Sequence, residues 1–302
     1  MSTTVAINSK KIKIREFKEN AVKYALFICA LTSVLAVAII TFFIFYEGMP
    51  LFGSVNPLDF LLNPRWEPAD AADPSYGIFS FIIGSIYVTA LALIMGIPIG
   101  LACAIFLAEI AKGPVANLLR RAMEILAGIP SIVYGLFGYQ TICIFVRETF
   151  GGSGYSVLSA AIVLAIMILP TIINIGEISI RSVPREYKEG SLAVGATHWQ
   201  TIVRVLLPAA KSGIIAGIVL GTGRAIGETM AVLMVAGNST PIPFLPTDSA
   251  RTLTMNIVTE MSYASGNHRI ALFTTSIVLF LFIMILNAII QFLTRKSRMH
   301  GA

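Results

Sequence analysis

Long apolar runs, each about the length a helix needs to cross a bilayer, alternate with short polar stretches along most of this chain. Runs with few or no charges cover residues 24–46, 77–108, 125–146, 157–176, 212–236 and 270–293, a pattern that predicts six transmembrane helices. The second run is too long for one upright span. It predicts either a tilted helix or one broken near Gly96-Ile97-Pro98-Ile99-Gly100, where proline removes a backbone donor. The third run is rich in glycine, with Pro130 near its start, and the fourth holds Pro170 late. Between them lie an acidic, proline-bearing loop (47–74), a connector (109–124) with Lys112, Arg120 and Arg121, and a glycine-rich turn (147–155). A longer loop (237–267) carries Pro241, Pro243 and Pro246; its length suits either an external partner or a packed cap. The fold class is an all-α integral membrane protein, with a six-helix transmembrane body over 24–293.

Charge sets the orientation. The arm (1–23) holds Lys10, Lys11, Lys13, Arg15, Lys18 and Lys23, and the tail (294–302) holds Arg295, Lys296 and Arg298. With six spans, both fall on the same side as the 109–124 connector and a basic segment over 181–211. The opposite side has only Arg65, Arg147, Arg251 and Arg269, with more acids than bases. The positive-inside rule then places both termini in the cytoplasm. The net charge of +6 is a consequence of this topology and gives no reason to expect a nucleic-acid partner. The first run follows a basic arm without a small-residue cleavage site, so it reads as a retained span. Cys29, Cys103 and Cys143 lie far apart in apolar surroundings and read as small hydrophobes, with no spacing that suggests a metal.

The 181–211 segment has internal structure. Pro184 suits the first turn of a helix that Gly195 ends, and Thr197 and Gln200 have capping-box spacing for a second. Trp199, Ile202, Val203 and Leu206 would then share one stripe, giving two short helices laid on the membrane surface. Any basic cytoplasmic loop could look this way. The spacing is more particular: Glu189-Gly190-Ser191-Leu192-Ala193-Val194-Gly195, then Val205 and Leu207-Pro208, resembles the EAA loop of ABC-importer permeases. In that family the loop forms the coupling helices that sit in a groove of the ATP-binding subunit. The resemblance therefore implies a coupling role for Glu189, Gly190, Ser191, Gly195 and Pro208. His198 beside them reads as a solvated or interface histidine.

Two charges fall inside the fifth run, Arg224 and Glu228, in Gly223-Arg224-Ala225-Ile226-Gly227-Glu228-Thr229. Each costs on the order of 2.5–3.5 kcal/mol at mid-bilayer on insertion scales. Their spacing of four would put them on one helix face as a pair. The pair is either a structural lock or part of a substrate path. A guanidinium fork matches phosphate and carboxylate oxygens, so a path with Arg224 suggests an anion. Glu228 would then hold Arg224 in place when the site is empty and keep binding weak enough for release. Thr229 adjoins them, and Ser131 and Tyr134 offer hydroxyls to a cargo or to neighbouring backbone.

Gly128-Ile129-Pro130-Ser131-Ile132-Val133-Tyr134-Gly135 and Gly223 through Val232 are similar to the hallmark stretches of inorganic-phosphate ABC permeases. Met230-Ala231-Val232 and Thr252-Leu253-Thr254-Met255-Asn256-Ile257 resemble the PstC type over the PstA type. The resemblance covers nearly the whole chain and implies the type I, MetI-like importer fold. It implies that Arg224 and Glu228 match positions implicated in phosphate passage. The partners it implies are a PstA-type second permease, a PstB-type ATPase dimer and a periplasmic or lipid-anchored PstS-type binding protein, all at the inner (plasma) membrane. No Gly-x-x-x-x-Gly-Lys-Ser/Thr loop occurs, so ATP and Mg are expected on the ATPase, and no cofactor on this chain. Other readings are a permease for molybdate, tungstate or sulfate, a stand-alone channel or carrier, and a membrane-embedded enzyme. The last needs a nucleophile or an acid–histidine cluster within the spans, where Arg224 and Glu228 are the charges expected firmly inside.

Overall fold

The computed structural model describes the backbone of residues 2–70 and 72–299, and side chains within 19–288. The charged groups of the arm up to Lys18 and of the tail (294–302) lie outside the described residues.

α1 (Ser2–Gly48) carries the first apolar run and leaves it exposed on every side from Val22 to Phe43, as suits a helix surrounded by lipid or a partner. A short turn (Met49–Gly53), α2 (Pro57–Leu62) and a two-residue antiparallel pair, β1 (Trp66–Glu67) with β2 (Ser75–Tyr76), follow. α3 (Phe79–Ile105) runs on through a π-helical turn (Phe106–Ile110), and Pro98 sits inside it without breaking it. α4 (Gly113–Gly128) stands where a connector was expected. A 99° bend separates it from α5 (Ser131–Phe137), a π-helical turn (Gly138–Ile142) and α6 (Cys143–Phe150). The bend has a local cause: the residue before a proline is driven out of the helical region, and Ile129 sits at ψ 128°. The expected third run over 125–146 is therefore not one straight helix but is broken at Ile129 and Pro130.

α7 (Val157–Arg181) begins at Ser156, whose hydroxyl accepts from the Ser159 amide at 3.1 Å. α8 (Arg185–Ala193) has Pro184 as its cap, not in its first turn, and Gly195 at φ 87° turns the chain after it. α9 (His198–Thr201) starts on the expected capping box, Thr197 Oγ1 accepting from the Gln200 amide at 3.2 Å and Gln200 Oε1 from the Thr197 amide at 2.9 Å. It is not a separate surface helix. It continues through a π-helical turn (Ile202–Leu206) into α10 (Leu207–Gly227), so the fifth span begins inside the loop. The wider π turn shifts the register and divides the expected stripe: Ile202 and Leu206 are buried, Trp199 and Val203 exposed. α10 ends at Gly227, nine residues short of the expected end at 236 (236 − 227), and α11 (Met230–Val235) follows a break. α12 (Leu253–Glu260) and α13 (Gly266–Met299) complete the chain. Among the described residues five helices are long and apolar enough to cross a membrane, or six if the bent α4/α5–α6 pair counts as one span.

α3, α7 and α10 form the centre, and glycine lets them approach. A Cβ on Gly96 would fall 2.8 Å from Ile168 Cδ1, and one on Gly221 would fall 3.1 Å from Ile172 Cγ1. The 237–267 loop packs as a cap: Leu253 and Met255 are fully buried, and the Leu253 amide donates to Ser85 Oγ at 2.9 Å. Leu253 joins Leu51, Phe60, Trp66, Ile78, Phe81 and Leu272 in one apolar cluster. Both long loops at this end are therefore ordered by a shared core.

Candidate functional site

Sequence spacing put Arg224 and Glu228 on one helix face, and the structure separates them. Arg224 lies in the last turn of α10, while Glu228 is past its end at ψ 127°. The Glu228 carboxylate Oε1 accepts from the Ala231 amide at 3.1 Å, which caps α11, and its carbonyl accepts from Thr254 Oγ1 at 3.3 Å. No ion pair joins it to Arg224. Extended backbone at Glu228 turns the carboxylate toward the next helix, and an i,i+4 contact needs a continuous helix that is not there. Among the described residues no hydrogen bond or ion pair engages the Arg224 guanidinium. A partly exposed arginine with no counterion, one turn from a broken span, is suited to an anion.

The other expected path residues divide. Tyr134 is near enough to Arg224 to feel its charge, but its hydroxyl donates to the Leu126 carbonyl at 2.7 Å and so braces the bend between α4 and α5. Ser131 opens α5, directly after Pro130, and is partly exposed. Thr229 precedes α11 and its hydroxyl lies 3.5 Å from the Gly227 carbonyl, at the break itself. α5 reaches the same place by packing: a Cβ on Gly135 would fall 3.0 Å from Ala231 Cα, so bulk there would push α5 and α11 apart. Arg224, Glu228 and Thr229 thus lie at the break between α10 and α11, and α5, which Ser131 opens and which holds Tyr134, packs on α11 at Gly135.

The residues expected to contact an ATPase sit elsewhere and look different. α8 has no buried residue, Val194 is 85% exposed, and nothing lies within 4 Å of a Cβ built on Gly190. Glu189 is exposed on this helix, and Gly195 ends it. Ser191 Oγ meets Thr201 Oγ1 at 3.0 Å and ties α8 to α9, while Pro208 lies at the start of α10. Lys188 pairs with Glu109 at the end of α3. This helix is held at its edges and leaves Tyr187 and Leu192 exposed.

Sequence reasoning missed two buried carboxylates and a third that is partly buried. Glu177, 5% exposed, accepts at Oε1 from Arg120 Nε and Arg181 Nε, both at 2.8 Å. Glu260 accepts from Trp66 Nε1 at 2.8 Å and pairs with Arg251 and His268. Glu109 pairs with Lys188. The first could have been found, since Glu177 and Arg181 are spaced by four on a helix. The Arg120 and Trp66 links span 57 and 194 residues and left no local mark. Among the described residues no group of three or more His, Cys, Asp or Glu is placed to hold a metal.

The model of the family described as binding-protein-dependent transport system inner membrane component matches residues 96–299. A probable ABC transporter permease protein, YqgH, of Bacillus subtilis is 42% identical over 240 residues, covering 78% of this chain and 77% of that one. Phosphate transport system permease proteins PstC are 32% identical in Mesorhizobium japonicum, over 83% of this chain and 81% of that one, and in Pasteurella multocida, over 93% and 91%. An inward-facing MetNI methionine ABC transporter structure shares the fold at a TM-score of 0.57 and 20% identity, covering 71% of this chain and 93% of that one. The resemblance to PstC-type permeases and to the ABC-importer fold, read first from motifs, is thereby borne out.

Proposed function

The chain belongs to the family of binding-protein-dependent transport system inner membrane components, and from that premise we propose that it is the permease subunit of an ATP-driven importer of inorganic phosphate. The observation that carries the cargo class is Arg224, a guanidinium without a counterion at the break of the fifth span. Its donor fork fits a tetrahedral oxyanion, and Glu228, held on the α11 amide, leaves that fork free. The PstC names of the relatives favour phosphate within that class.

In this reading both termini and α8 face the cytoplasm, where an ATPase dimer seats on Glu189, Gly190, Ser191 and Gly195. A second, homologous permease closes the path, and a phosphate-binding protein delivers cargo to the opposite face. ATP and Mg belong to the ATPase; this chain supplies the path and the contact. Closure of the ATPases moves α8, and the spans alternate access around Arg224.

The test is labelled phosphate uptake in cells lacking their own high-affinity system, with this chain and its partners co-expressed. Wild type, Arg224→Ala and Glu189→Lys are compared, with molybdate and sulfate as competitors. Uptake lost in both variants with assembly intact, and unaffected by competitors, supports the reading. Uptake of molybdate or sulfate in place of phosphate overturns the cargo, and uptake indifferent to Glu189→Lys overturns the coupling surface.

A further inference from the structure

We propose that Glu177 is a positioning residue that carries the motion of the coupling helix into α4 and, through it, to the α5–α11 junction beside Arg224. This rests on the importer reading above.

α8 has no core of its own and is joined to α3 by the Lys188–Glu109 pair, where the Glu109 side chain is 9% exposed. The same π-helical turn of α3 is held a second time: Arg181 Nη2 donates to the Leu107 carbonyl at 2.8 Å. Arg181 is also bonded to Glu177, and Glu177 reaches the third element, α4, through Arg120. One carboxylate oxygen therefore fastens α7 and α4, and through Arg181 the end of α3. Close backbone approach makes this joint stiff, since a Cβ on Gly176 would fall 2.9 Å from Ala104 Cβ.

From α4 the chain of contacts continues. The Leu126 carbonyl in its last turn accepts from Tyr134 OH, fixing the 99° bend to α5. α5 then lies on α11 at Gly135 and Ala231, and the Ala231 amide is the one that Glu228 caps. Every step from α8 to the Arg224 region is a hydrogen bond, an ion pair or a contact too tight to slip. Glu177 is the only carboxylate among the described residues that an ion pair joins to α4. A bonded route is a physical basis for coupling, and coupling itself is what the experiment measures.

The complete complex, with its second permease, ATPases and binding protein, is reconstituted as wild type, Glu177→Gln, Glu177→Asp and Arg120→Gln. Two readouts are taken. The first is phosphate imported per ATP hydrolysed, expected to fall about tenfold in Glu177→Gln, within the range seen along coupled networks, and to recover in part in Glu177→Asp. The second is hydrogen exchange of the α4 and α8 amides with and without a non-hydrolysable ATP analogue. In wild type both helices should respond; in Glu177→Gln and Arg120→Gln the α8 response should persist and the α4 response vanish. An unchanged α4 response in a variant that assembles overturns the proposal. If Glu177→Gln does not assemble, Arg120→Gln, which removes the guanidinium that links Glu177 to α4 and leaves the Glu177–Arg181 bond in place, decides by the same exchange signal. Failure of the wild type to import phosphate would overturn the cargo reading alone, because the exchange measurement needs no cargo.

Discussion

The two ends of this molecule solve opposite problems. At one end the loops over 47–78 and 237–267 bury Leu51, Phe60, Trp66 and Leu253 in a common core, and Glu260 gathers Trp66, Arg251 and His268 around one carboxylate. At the other, α8 buries nothing, its own Tyr187 is exposed, and Val194 and Trp199 stand exposed beside it. The chain completes the first end by itself and leaves α8 at the second uncovered. An exposed apolar surface next to a well-packed body is what a docking face requires. The 237–267 loop was expected either to meet an external partner or to pack as a cap, and it packs, whereas the 181–211 segment keeps exposed side chains.

The largest test of this contrast is Glu260→Ala. It removes the acceptor from three side chains and leaves Arg251, 11% exposed, without its counterion. Breaking such a buried pair costs about 3–5 kcal/mol, read as a drop in unfolding free energy of the purified chain in detergent. Glu189→Ala on exposed α8 should change the same quantity by no more than about 0.5 kcal/mol. Equal losses at both positions would erase the distinction between the ends.

A single kind of substitution sharpens it further. Gly84→Ala places a Cβ 2.6 Å from the Arg251 carbonyl, a backbone atom that cannot swing away, so α3 and the cap must separate. Overpacking of this sort destabilises by about 1–3 kcal/mol. Gly190→Ala meets nothing within 4 Å and lies inside α8, where it should stabilise the helix by roughly 0.5–1 kcal/mol. The two signs are opposite, and thermal denaturation of each variant reads them directly.

Between the ends lies the broken fifth span, where the expectation of an Arg224–Glu228 pair can be measured. Glu228→Ala should cost about 0.5–2 kcal/mol through loss of its bond to the Ala231 amide. In a double-mutant cycle with Arg224→Ala the interaction energy should stay within about 0.5 kcal/mol, the limit for independent sites. A larger coupling would restore the pair.

These cases show what the sequence could and could not reveal. Spans, the capping box at Thr197 and Gln200, and the turn at Gly195 depend on a few neighbouring residues, and each was legible. The bend at Pro130 was signalled by proline, but hydropathy ran across it and hid that α4 is a separate element. At Glu228 the apolar pattern also runs on, while the helix stops at Gly227. The signal there was Gly-Glu-Thr inside a span, a helix stop followed by a carboxylate that can cap the next start. The carboxylates Glu177 and Glu260 depend on partners tens to hundreds of residues away, and no periodicity encodes such contacts.

The smallest effect concerns the surface of the completed end, where charge is exposed instead of buried. Arg65 donates to Glu67 and Asp73 at 2.6–2.8 Å, and Asp70 Oδ1 accepts from the Ala72 amide at 2.9 Å and the Asp73 amide at 3.4 Å. These two backbone amides, with Arg65 adding a smaller pull, hold the Asp70 carboxyl below its usual range. A carboxylate whose pKa is depressed by folding stabilises the fold at pH above its unfolded value, about 3.9. That contribution should fade as pH falls from there through the lower folded value. It is therefore constant from neutral pH down to mildly acid conditions, and Asp70→Asn should flatten the acid limb slightly while leaving the neutral plateau little changed. Titration of the Asp70 carboxyl by NMR checks the direction. A value at or above that of an unstructured aspartate would mean the 65–76 hairpin is not held at the surface as these bonds require, whereas the buried Glu260 cluster beneath it would still stand.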